Sequence, residues 1–352
     1  MIRFVTIASV VVCITPAARA APPFSLKAEE TPGADWAEHE GRLLSNVRQL
    51  TSVDMGLEKA GEAYFSPDQR TIIFQAFPKC KDAYQMYTME LTADGQPRRD
   101  SLRMVSAGGG ACTCGFFRPD GRKILFGSSA LNPDMPNPNA YHREGSSYQW
   151  DMPGGMDVLI ADPNGANAVP LTTTAGYDAE CAFSPDGKWI VFCSDRDGDP
   201  DLYVMSADDK VVRQLTNEPG YDGGPFFSPD GRRVIFRSDR RQNDYLQLFV
   251  ITVDGSGEQQ LTADGEVVNW APYWLPGGRS VVFTTSLHGH RNYEVYLLNI
   301  ESGDLRRVTF SPRFDGLPVI SPDGRRMMWT SQRGADGSSQ IFLGDFRTPN
   351  EF

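Results

Sequence analysis

The sequence lacks any run of lysine and arginine residues, and acidic residues outnumber basic ones over the whole chain. Asp and Glu total 45 against 34 Lys and Arg, which gives a formal net charge of −11 at pH 7. Affinity for nucleic acid rests on basic patches that neutralise backbone phosphates. We therefore expect no nucleic-acid partner.

Long apolar segments are also missing, and the one apolar run lies at the N-terminus. Arg3 gives a short positive region, Phe4–Ile14 is too short to span a bilayer, and Ala18–Ala20 has the small-x-small pattern of a cleavage site. This pattern predicts a signal peptide at residues 1–20, cleaved near Ala20. The mature chain is then periplasmic or secreted, with no transmembrane segment.

Two signatures of catalysis are absent from the sequence. There is no Gly-x-Ser-x-Gly elbow of the kind that α/β-hydrolases need, and no Gly-rich phosphate loop leads from a strand into a helix. Long amphipathic helical stretches are missing as well. These absences favour a protein that is not an enzyme, and they leave an enzyme as the alternative.

Cysteine is scarce, and after cleavage its number is odd. The mature chain keeps Cys80, Cys112, Cys114, Cys181 and Cys193, so at least one thiol has no partner within the chain. Cys181 and Cys193 fall on the two strands of one predicted hairpin. We interpret both as small buried apolar side chains, and the sequence leaves any disulfide pairing open.

One short unit is present six times. It reads Phe-Ser-Pro-Asp-Gly followed by β-branched and aromatic residues, most clearly at Phe183–Phe192 and Phe227–Phe236. Proline presets φ and glycine accepts a positive φ, so each unit predicts a β-hairpin. Gln69 replaces the glycine of the first copy and Gly277 the aspartate of the fifth, and we expect those two turns to be the least regular. The prolines that mark the six copies are Pro67, Pro119, Pro185, Pro229, Pro276 and Pro322.

A third strand follows every hairpin, but a fourth strand ending in a Leu-Thr-like pair follows only five of them. The missing copy lies near the N-terminus as Val47–Thr51. We predict that this segment completes the last sheet and closes a ring, because a closed ring leaves only short, protected sheet edges. The predicted fold is an all-β, six-bladed β-propeller of four-stranded antiparallel blades at residues 46–346. An N-terminal linker at 21–45 precedes it and a tail at 347–352 follows it.

The hairpin unit, followed by Ser-Asp-Arg and a Leu-Tyr-Val-Met strand, resembles the TolB-like family of WD40-like Pro-Asp repeats. The resemblance covers about residues 46–346 and is specific for the fold. It says little about function, because propellers host many activities. The namesake of the family has an additional N-terminal α/β domain where this sequence has only residues 21–45, so its translocation role is not carried over.

The default binding site of such a fold is its loop face, where the loops entering the first strand of each blade lie beside the loops joining strands two and three. Residues two apart on a strand point the same way, so we expect two rings of side chains on the same side of the channel mouth. The outer ring, seven positions before each proline, comprises Ala60, Cys112, Asp178, Asp222, Asn269 and Asp315. The inner ring, five positions before, comprises Glu62, Cys114, Glu180, Gly224, Ala271 and Leu317.

These rings support two interpretations. Asp178, Asp222 and Asp315 are ligands suited to Ca²⁺, and Cys112 and Cys114 would suit zinc. Because an aromatic-Asp pair repeats from blade to blade, we favour a structural role in which each aspartate accepts backbone N–H bonds in its own loop. The ligand-binding candidates at the mouth are Glu62, Asp178, Glu180, Asp222, Asn269 and Asp315.

Two further segments lie in loops of the same face. His288 and His290 form an H-x-H pair that could present both rings to a metal, although a solvated loop pair is the interpretation we favour. The insertion Ala130–Gly155 carries Tyr148 and Trp150, which could cover the channel or contact a partner. The sequence commits to no cofactor and leaves Ca²⁺ or a transition metal as the open alternative.

Together these patterns predict an exported, monomeric, non-catalytic propeller that binds a protein, a peptide or a glycan on its loop face. The alternative is a metal-dependent polysaccharide lyase or hydrolase with its site at the channel mouth. An enzyme needs converging ligands and an acid or base with a perturbed pKa, whereas a binding module does not.

Overall fold

The computed structural model describes residues 22–30, 33–79, 81–106, 109–132, 152, 154–208, 210–350 and 352. The predicted signal peptide, Cys80, Tyr148 and Trp150 lie outside these residues. Repeated segments of β-branched and aromatic residues form 24 strands in the described chain, and α1 is a short helix at Trp36–Glu40. The chain is therefore almost entirely β-structure, as predicted.

The strands form six blades in chain order, with β1 (Leu44–Gln49) preceding the first. Blade one is β2 (Leu57–Phe65), β3 (Thr71–Pro78), β4 (Gln85–Leu91) and β5 (Pro97–Met104). Blade two is β6 (Cys112–Phe117), β7 (Ile124–Ser128), β8 (Asp157–Ala161) and β9 (Val169–Pro170). Blade three is β10 (Asp178–Phe183), β11 (Trp189–Ser194), β12 (Asp201–Ser206) and β13 (Val212–Gln214).

The second half of the ring repeats the same order. Blade four is β14 (Asp222–Phe227), β15 (Arg233–Ser238), β16 (Gln247–Thr252) and β17 (Gln259–Gln260). Blade five is β18 (Asn269–Trp274), β19 (Ser280–Thr285), β20 (Glu294–Asn299) and β21 (Leu305–Arg307). Blade six is β22 (Asp315–Ile320), β23 (Arg326–Ser331) and β24 (Gln340–Phe346), completed by β1. Each sheet is antiparallel, which confirms the six-bladed propeller.

The predicted closure of the ring is confirmed, because β1 is the outermost strand of blade six. It pairs antiparallel with β24, with Leu44 opposite Phe346 and Gln49 opposite Phe342. The strand begins a few residues earlier than the Val47–Thr51 segment that the repeat pattern marks. Beyond its end, the Leu50 N–H still donates to the Ile341 carbonyl at 2.8 Å. An N-terminal strand thus joins the two ends of the ring.

One hydroxyl in each blade explains the repeated threonine of the fourth strand. In blade three Thr216 Oγ1 donates to the Asp201 carboxylate and accepts the Leu202 N–H, both at 2.9 Å. The same pair of bonds ties the fourth segment to the third strand in every other blade. The pairs are Ser106 with Gln85, Thr172 with Asp157, Thr262 with Gln247, Thr309 with Glu294, and Thr51 with Gln340.

The expectation that the first and fifth turns are irregular is wrong. Gln69 takes the left-handed φ of 60° that glycine takes elsewhere, and its N–H donates to the Ser66 carbonyl at 2.9 Å. In the fifth copy Gly278 has φ 68° and donates to the Leu275 carbonyl at 2.9 Å. The turn depends on the left-handed third position, which both copies fill, and not on the aspartate side chain.

The segment before β1, which the sequence suggests is a linker, is attached to blades four, five and six. The Phe24 N–H donates to the Leu261 carbonyl at 2.8 Å, and Glu29 Oε1 accepts the Arg307 N–H at 3.0 Å. Glu40, at the end of α1, forms an ion pair with Arg333 at 2.6 Å. These contacts hold the described part of residues 22–43 against the loops of the propeller.

The closure gives a first prediction, for which we choose Thr51→Val. The valine leaves the buried Gln340 amide oxygen and the Ile341 N–H without the hydroxyl that they share. An unsatisfied buried polar group costs roughly 1–3 kcal/mol, so the free energy of unfolding should fall by about that amount in urea titrations. Thr173→Val, at an exposed position, is the control. Equal stability of the two variants would refute the role of Thr51 in closing the ring.

Candidate functional site

A bulge in the first strand of every blade sets the geometry of the channel. The pairing register shifts there in each blade, for example between Ala179 and Ala182. The residue five before the proline has a left-handed φ between 46° and 57° in all six copies. These residues are Glu62, Cys114, Glu180, Gly224, Ala271 and Leu317. A bulge adds one residue to the strand and turns the following side chain to the other face.

The expectation that both rings point to the channel is therefore wrong. The inner ring lines the channel, together with the aromatic residues that follow it. The outer ring is buried inside the blades, where its six residues are at most 2% exposed. The strict alternation of a regular strand does not hold across the bulge. Sequence reasoning misses this bulge because a left-handed φ at Glu, Cys, Ala or Leu has no residue signature.

The three outer-ring aspartates each face an arginine of their own blade. Asp178 pairs with Arg196 and Asp315 with Arg333, both at 3.0 Å, and Asp222 pairs in the same way with Arg240. The three aspartate side chains are fully buried. Each guanidinium also lies over an aromatic ring of the same blade. The rings are those of Tyr203 at 4.7 Å, Phe249 at 5.0 Å and Trp329 at 4.9 Å from the guanidinium carbon.

We call this arrangement of a buried aspartate, an arginine and an aromatic ring the Asp–Arg brace. It differs from the backbone bonding that the sequence suggests for the aspartates, and it explains the Ser-Asp-Arg motif. The serine oxygen accepts from the arginine Nε, and the arginine folds back onto the aspartate. In blade five the arginine position is Leu287, and the aspartate position is the neutral Asn269. The signal that could have found the brace is this joint occurrence of acid and arginine. The structure brings each aspartate to an arginine, not to the other aspartates.

Inside the channel, Glu180 is the centre of a buried polar cluster. Its carboxylate accepts hydrogen bonds from the Tyr177 hydroxyl at 3.0 Å, the Tyr221 hydroxyl at 2.7 Å and the Gly224 N–H. It also pairs with Arg237 at 3.2 Å, and the two side chains are only 9% and 11% exposed. Tyr177, Tyr221 and Arg237 are functional-site residues that the proline register alone does not find, because all three lie outside both rings.

Glu62 and Cys114 complete the polar lining. The Tyr64 hydroxyl donates to Glu62 Oε1 at 3.2 Å. Burial raises the pKa of Glu62, and the negative charge of Glu180 adds to this, while Cys114 and Arg237 oppose it. Burial, and then the charges of Glu62 and Glu180, raise the pKa of the Cys114 thiol well above its usual range. A protonated thiol is a poor nucleophile.

Below the polar lining, four aromatic rings fill the channel. Tyr64 packs against Phe116, Phe226 and Tyr273 with ring centroids 5.3–6.2 Å apart, and Phe226 packs against Tyr273 at 5.1 Å. The space left beside Glu62 and Glu180 is a cavity of ≈ 30 Å³. Such a cavity holds one or two waters. A sugar ring or a peptide backbone cannot pass through the channel and must bind from its mouth.

The four residues considered for a metal lie in two blades, the histidines in blade five and the cysteines in blade two. His288 Nε2 bonds the Tyr296 hydroxyl at 2.7 Å and His290 Nδ1 bonds the Tyr293 hydroxyl at 3.2 Å, both in blade five. Cys112, in blade two, donates to Ser128 Oγ at 3.3 Å. Among the described residues there is no group of three or more His, Cys, Asp or Glu side chains that could hold a metal ion. The metal site stays a prediction.

Family models match two adjoining parts of the chain. Residues 154–266 match the model described as the Tricorn protease N-terminal β-propeller domain, and residues 256–350 match the TolB β-propeller domain. Together with the six sheets, these matches define the class of the chain as a six-bladed β-propeller. Within that class it is a TolB-like propeller of Pro-Asp repeats, which confirms the resemblance seen in the sequence.

Solved structures share the fold at low sequence identity. A putative TolB from Agrobacterium tumefaciens is 21% identical with a TM-score of 0.58, over 82% of this chain and 91% of that chain. TolB from Acinetobacter baumannii is 19% identical with a TM-score of 0.54, over 81% and 63%. Oligogalacturonate lyase from Vibrio parahaemolyticus is 12% identical with a TM-score of 0.50, over 88% and 96%. At these identities the likeness shows the fold alone.

In the part of the chain that the structure describes, no helix has the length and apolar character needed to cross a membrane.

The buried pair in the channel gives a second prediction. Glu180→Gln leaves the Arg237 guanidinium buried beside a neutral amide, which should cost on the order of 3 kcal/mol of unfolding free energy. Adding Arg237→Met should restore part of this loss, so the double variant is more stable than the sum of the single losses implies. Glu258→Gln, at a half-exposed carboxylate paired with Arg240, is the control and should cost less than about 1 kcal/mol. Additive losses at Glu180 and Arg237 in urea unfolding would contradict the coupling.

The pKa of His288 gives a third prediction. Burial, with the positive charge of Arg307 as the second cause, lowers the pKa of His288 from 6.5 to about 4. The unfolded chain therefore takes up a proton below about pH 6.5, whereas the folded chain does not until about pH 4. This contribution to stability is complete above pH 6.5 and is lost as the pH falls towards 4. His288→Gln should lose less unfolding free energy than the wild type between pH 7 and 5. Parallel pH profiles of the unfolding free energy in the two chains would refute the contribution of His288.

Proposed function

We propose that this chain is an exported binding module that holds a segment of a protein, a peptide or a glycan on its loop face. The observation that carries the proposal is the closed channel, in which the carboxylates of Glu62 and Glu180 lie above four packed aromatic rings. A ligand can reach these carboxylates only from the mouth, so the ligand contacts a surface and does not enter a deep pocket. The TolB-like fold is consistent with such a role and does not demand it.

The chemistry of the mouth also favours binding over catalysis. Glu180 is held by three hydrogen bonds and an arginine, and Cys114 is held as a thiol. Both groups lack the freedom that a general base or a nucleophile needs. Glu62 differs, because its hydrogen bonds come from the Tyr64 hydroxyl and the Cys114 thiol and not from an arginine. A donor group of a ligand, such as an amide, a hydroxyl or an ammonium, suits this carboxylate.

A fourth prediction tests the proposal with the mature chain from Ala21. Arrays of synthetic peptides and of defined oligosaccharides would first supply a ligand, whose affinity is then measured by calorimetry. Glu62→Gln should weaken that ligand about tenfold, since one charged hydrogen bond at a desolvated site is worth about 1.5–3 kcal/mol. Glu58→Gln is the matched control, because Glu58 is exposed on the same strand.

The outcomes separate the candidate functions. A ligand that is bound unchanged and weakened only by Glu62→Gln supports a binding module. A glycan that is cleaved, with the cleavage lost on chelation of metal, would replace this proposal with the lyase or hydrolase. A ligand whose affinity is the same in the Glu62→Gln and wild-type chains would place its site away from the channel mouth.

A further inference from the structure

A groove lies between blades three and four on the turn face, which is opposite to the loop face and carries the Pro-Asp-Gly turns and the loops joining strands three and four. Its volume is ≈ 390 Å³. Blade three contributes Trp189 and Arg213, and blade four contributes Asp230 and Asp254. The equivalent groove between blades six and one, of ≈ 590 Å³, is lined by Arg326, Arg48 and Asp94. Equivalent grooves therefore lie at two junctions between blades.

At three other blade junctions, arginines of the chain itself reach the neighbouring blade. In blade six Arg326, the first residue of β23, donates to the Ala93 carbonyl of blade one at 2.7 Å. In blade four Arg233, the first residue of β15, donates to the Gly278 carbonyl at 2.8 Å and lies 5.0 Å from the Trp274 ring of blade five. In blade two Arg118 lies 5.9 Å from the Phe183 ring of blade three. The groove is thus suited to a guanidinium group.

Between blades three and four the residue at this position is Trp189, the first residue of β11. Its side chain is 45% exposed, whereas the aromatic residues of the other described hairpins are buried or partly buried. Two exposed valines, Val211 and Val212, lie in and beside the neighbouring strand β13 and are 64% and 37% exposed. The two valines do not line the groove, so Trp189 is its exposed aromatic side chain.

Carboxylates outnumber cationic groups in the lining of the groove, and Lys188, next to Trp189, lies 3.9 Å from the Asp186 carboxylate. Asp186, Asp230 and Asp254 line the groove against one arginine, Arg213, whose guanidinium donates to the Val253 carbonyl. Hydrogen bonds from Thr252 and Ser256 lower the pKa of Asp254 to about 2, so this carboxylate is charged at neutral pH. A guanidinium stacked on an indole and paired with a carboxylate is a favourable arrangement, and Arg233 already lies over the Trp274 indole at the next blade junction.

We propose that the groove between blades three and four binds an arginine side chain from a basic segment of a partner protein, with the guanidinium on the Trp189 indole and its charge paired with Asp230 and Asp254. The site lies on the opposite face from the channel mouth. It is therefore a second contact surface, independent of the ligand proposed for the loop face.

The test uses the mature chain and a tetra-arginine amide as the probe, with binding followed by calorimetry at low salt. The decisive variant is Trp189→Arg, which supplies the arginine that blades four and six already have. It should weaken the probe at least tenfold without lowering the melting temperature, because the new side chain occupies the groove itself. Asp254→Asn should weaken the probe several-fold, and Trp189→Phe should keep part of the affinity.

Two controls separate the groove from general attraction to an acidic protein. Asp120→Asn changes the equivalent turn of blade two and should leave the affinity unchanged, as should Glu62→Gln at the channel mouth. A tetra-lysine amide should bind several-fold more weakly, because an ammonium does not stack as a planar guanidinium does. Equal affinity of the wild-type and Trp189→Arg chains, or no binding of the probe, would overturn the proposal. Binding of neutral maltohexaose that depends on Trp189 would overturn it too, in favour of a glycan site.

Discussion

The β-bulge in the first strand of each blade is the constraint on which the site depends. One left-handed residue per blade separates two sets of side chains that an unbroken strand would direct to one side. The outer set turns into the blade, where Asp178, Asp222 and Asp315 become buried partners of arginines. The inner set turns to the axis and places Glu62 and Glu180 in the channel. Five of the six copies use a residue other than glycine, so the strain of a positive φ is accepted for this purpose.

The buried aspartates of the outer ring are paired with arginines. Each Asp–Arg brace combines a carboxylate, a guanidinium, a serine oxygen and an aromatic ring, so the desolvation of both ions is met by several contacts at once. Blade four adds Glu258 to Arg240, and in blade six Glu40 of the N-terminal segment takes the corresponding role on Arg333. The buried hydroxyls of the six fourth segments are likewise satisfied, because each one hydrogen-bonds to the third strand of its blade. The N-terminal residues therefore contribute to blade six both through Glu40 and through β1.

Much of the fold could be predicted because its signals are local and repeated. Proline and glycine at fixed offsets define the hairpins. The Val47–Thr51 segment, which is the fourth strand that the last hairpin lacks, shows where the ring closes. Less of the site could be predicted. The spacing from the repeat prolines places Glu62 and Glu180 in the channel, as the structure does. It also selects Asp178, Asp222 and Asp315, which are buried inside the blades as partners of arginines. The pairing of Glu180 with Tyr221 and Arg237 joins neighbouring blades, and no offset within one repeat reveals it.

By itself, the sequence determined the number of blades, their strand order and the closure of the ring, because backbone preferences and hydrophobic alternation act over a few residues. Only the tertiary structure decided which polar residues face the channel, which are neutralised inside a blade and which aromatic residue remains exposed. Those outcomes depend on the bulge and on contacts between blades. Trp189 shows the difference, since it fits a strand as well as any buried aromatic residue, and only the neighbouring blade leaves it half-exposed above a groove.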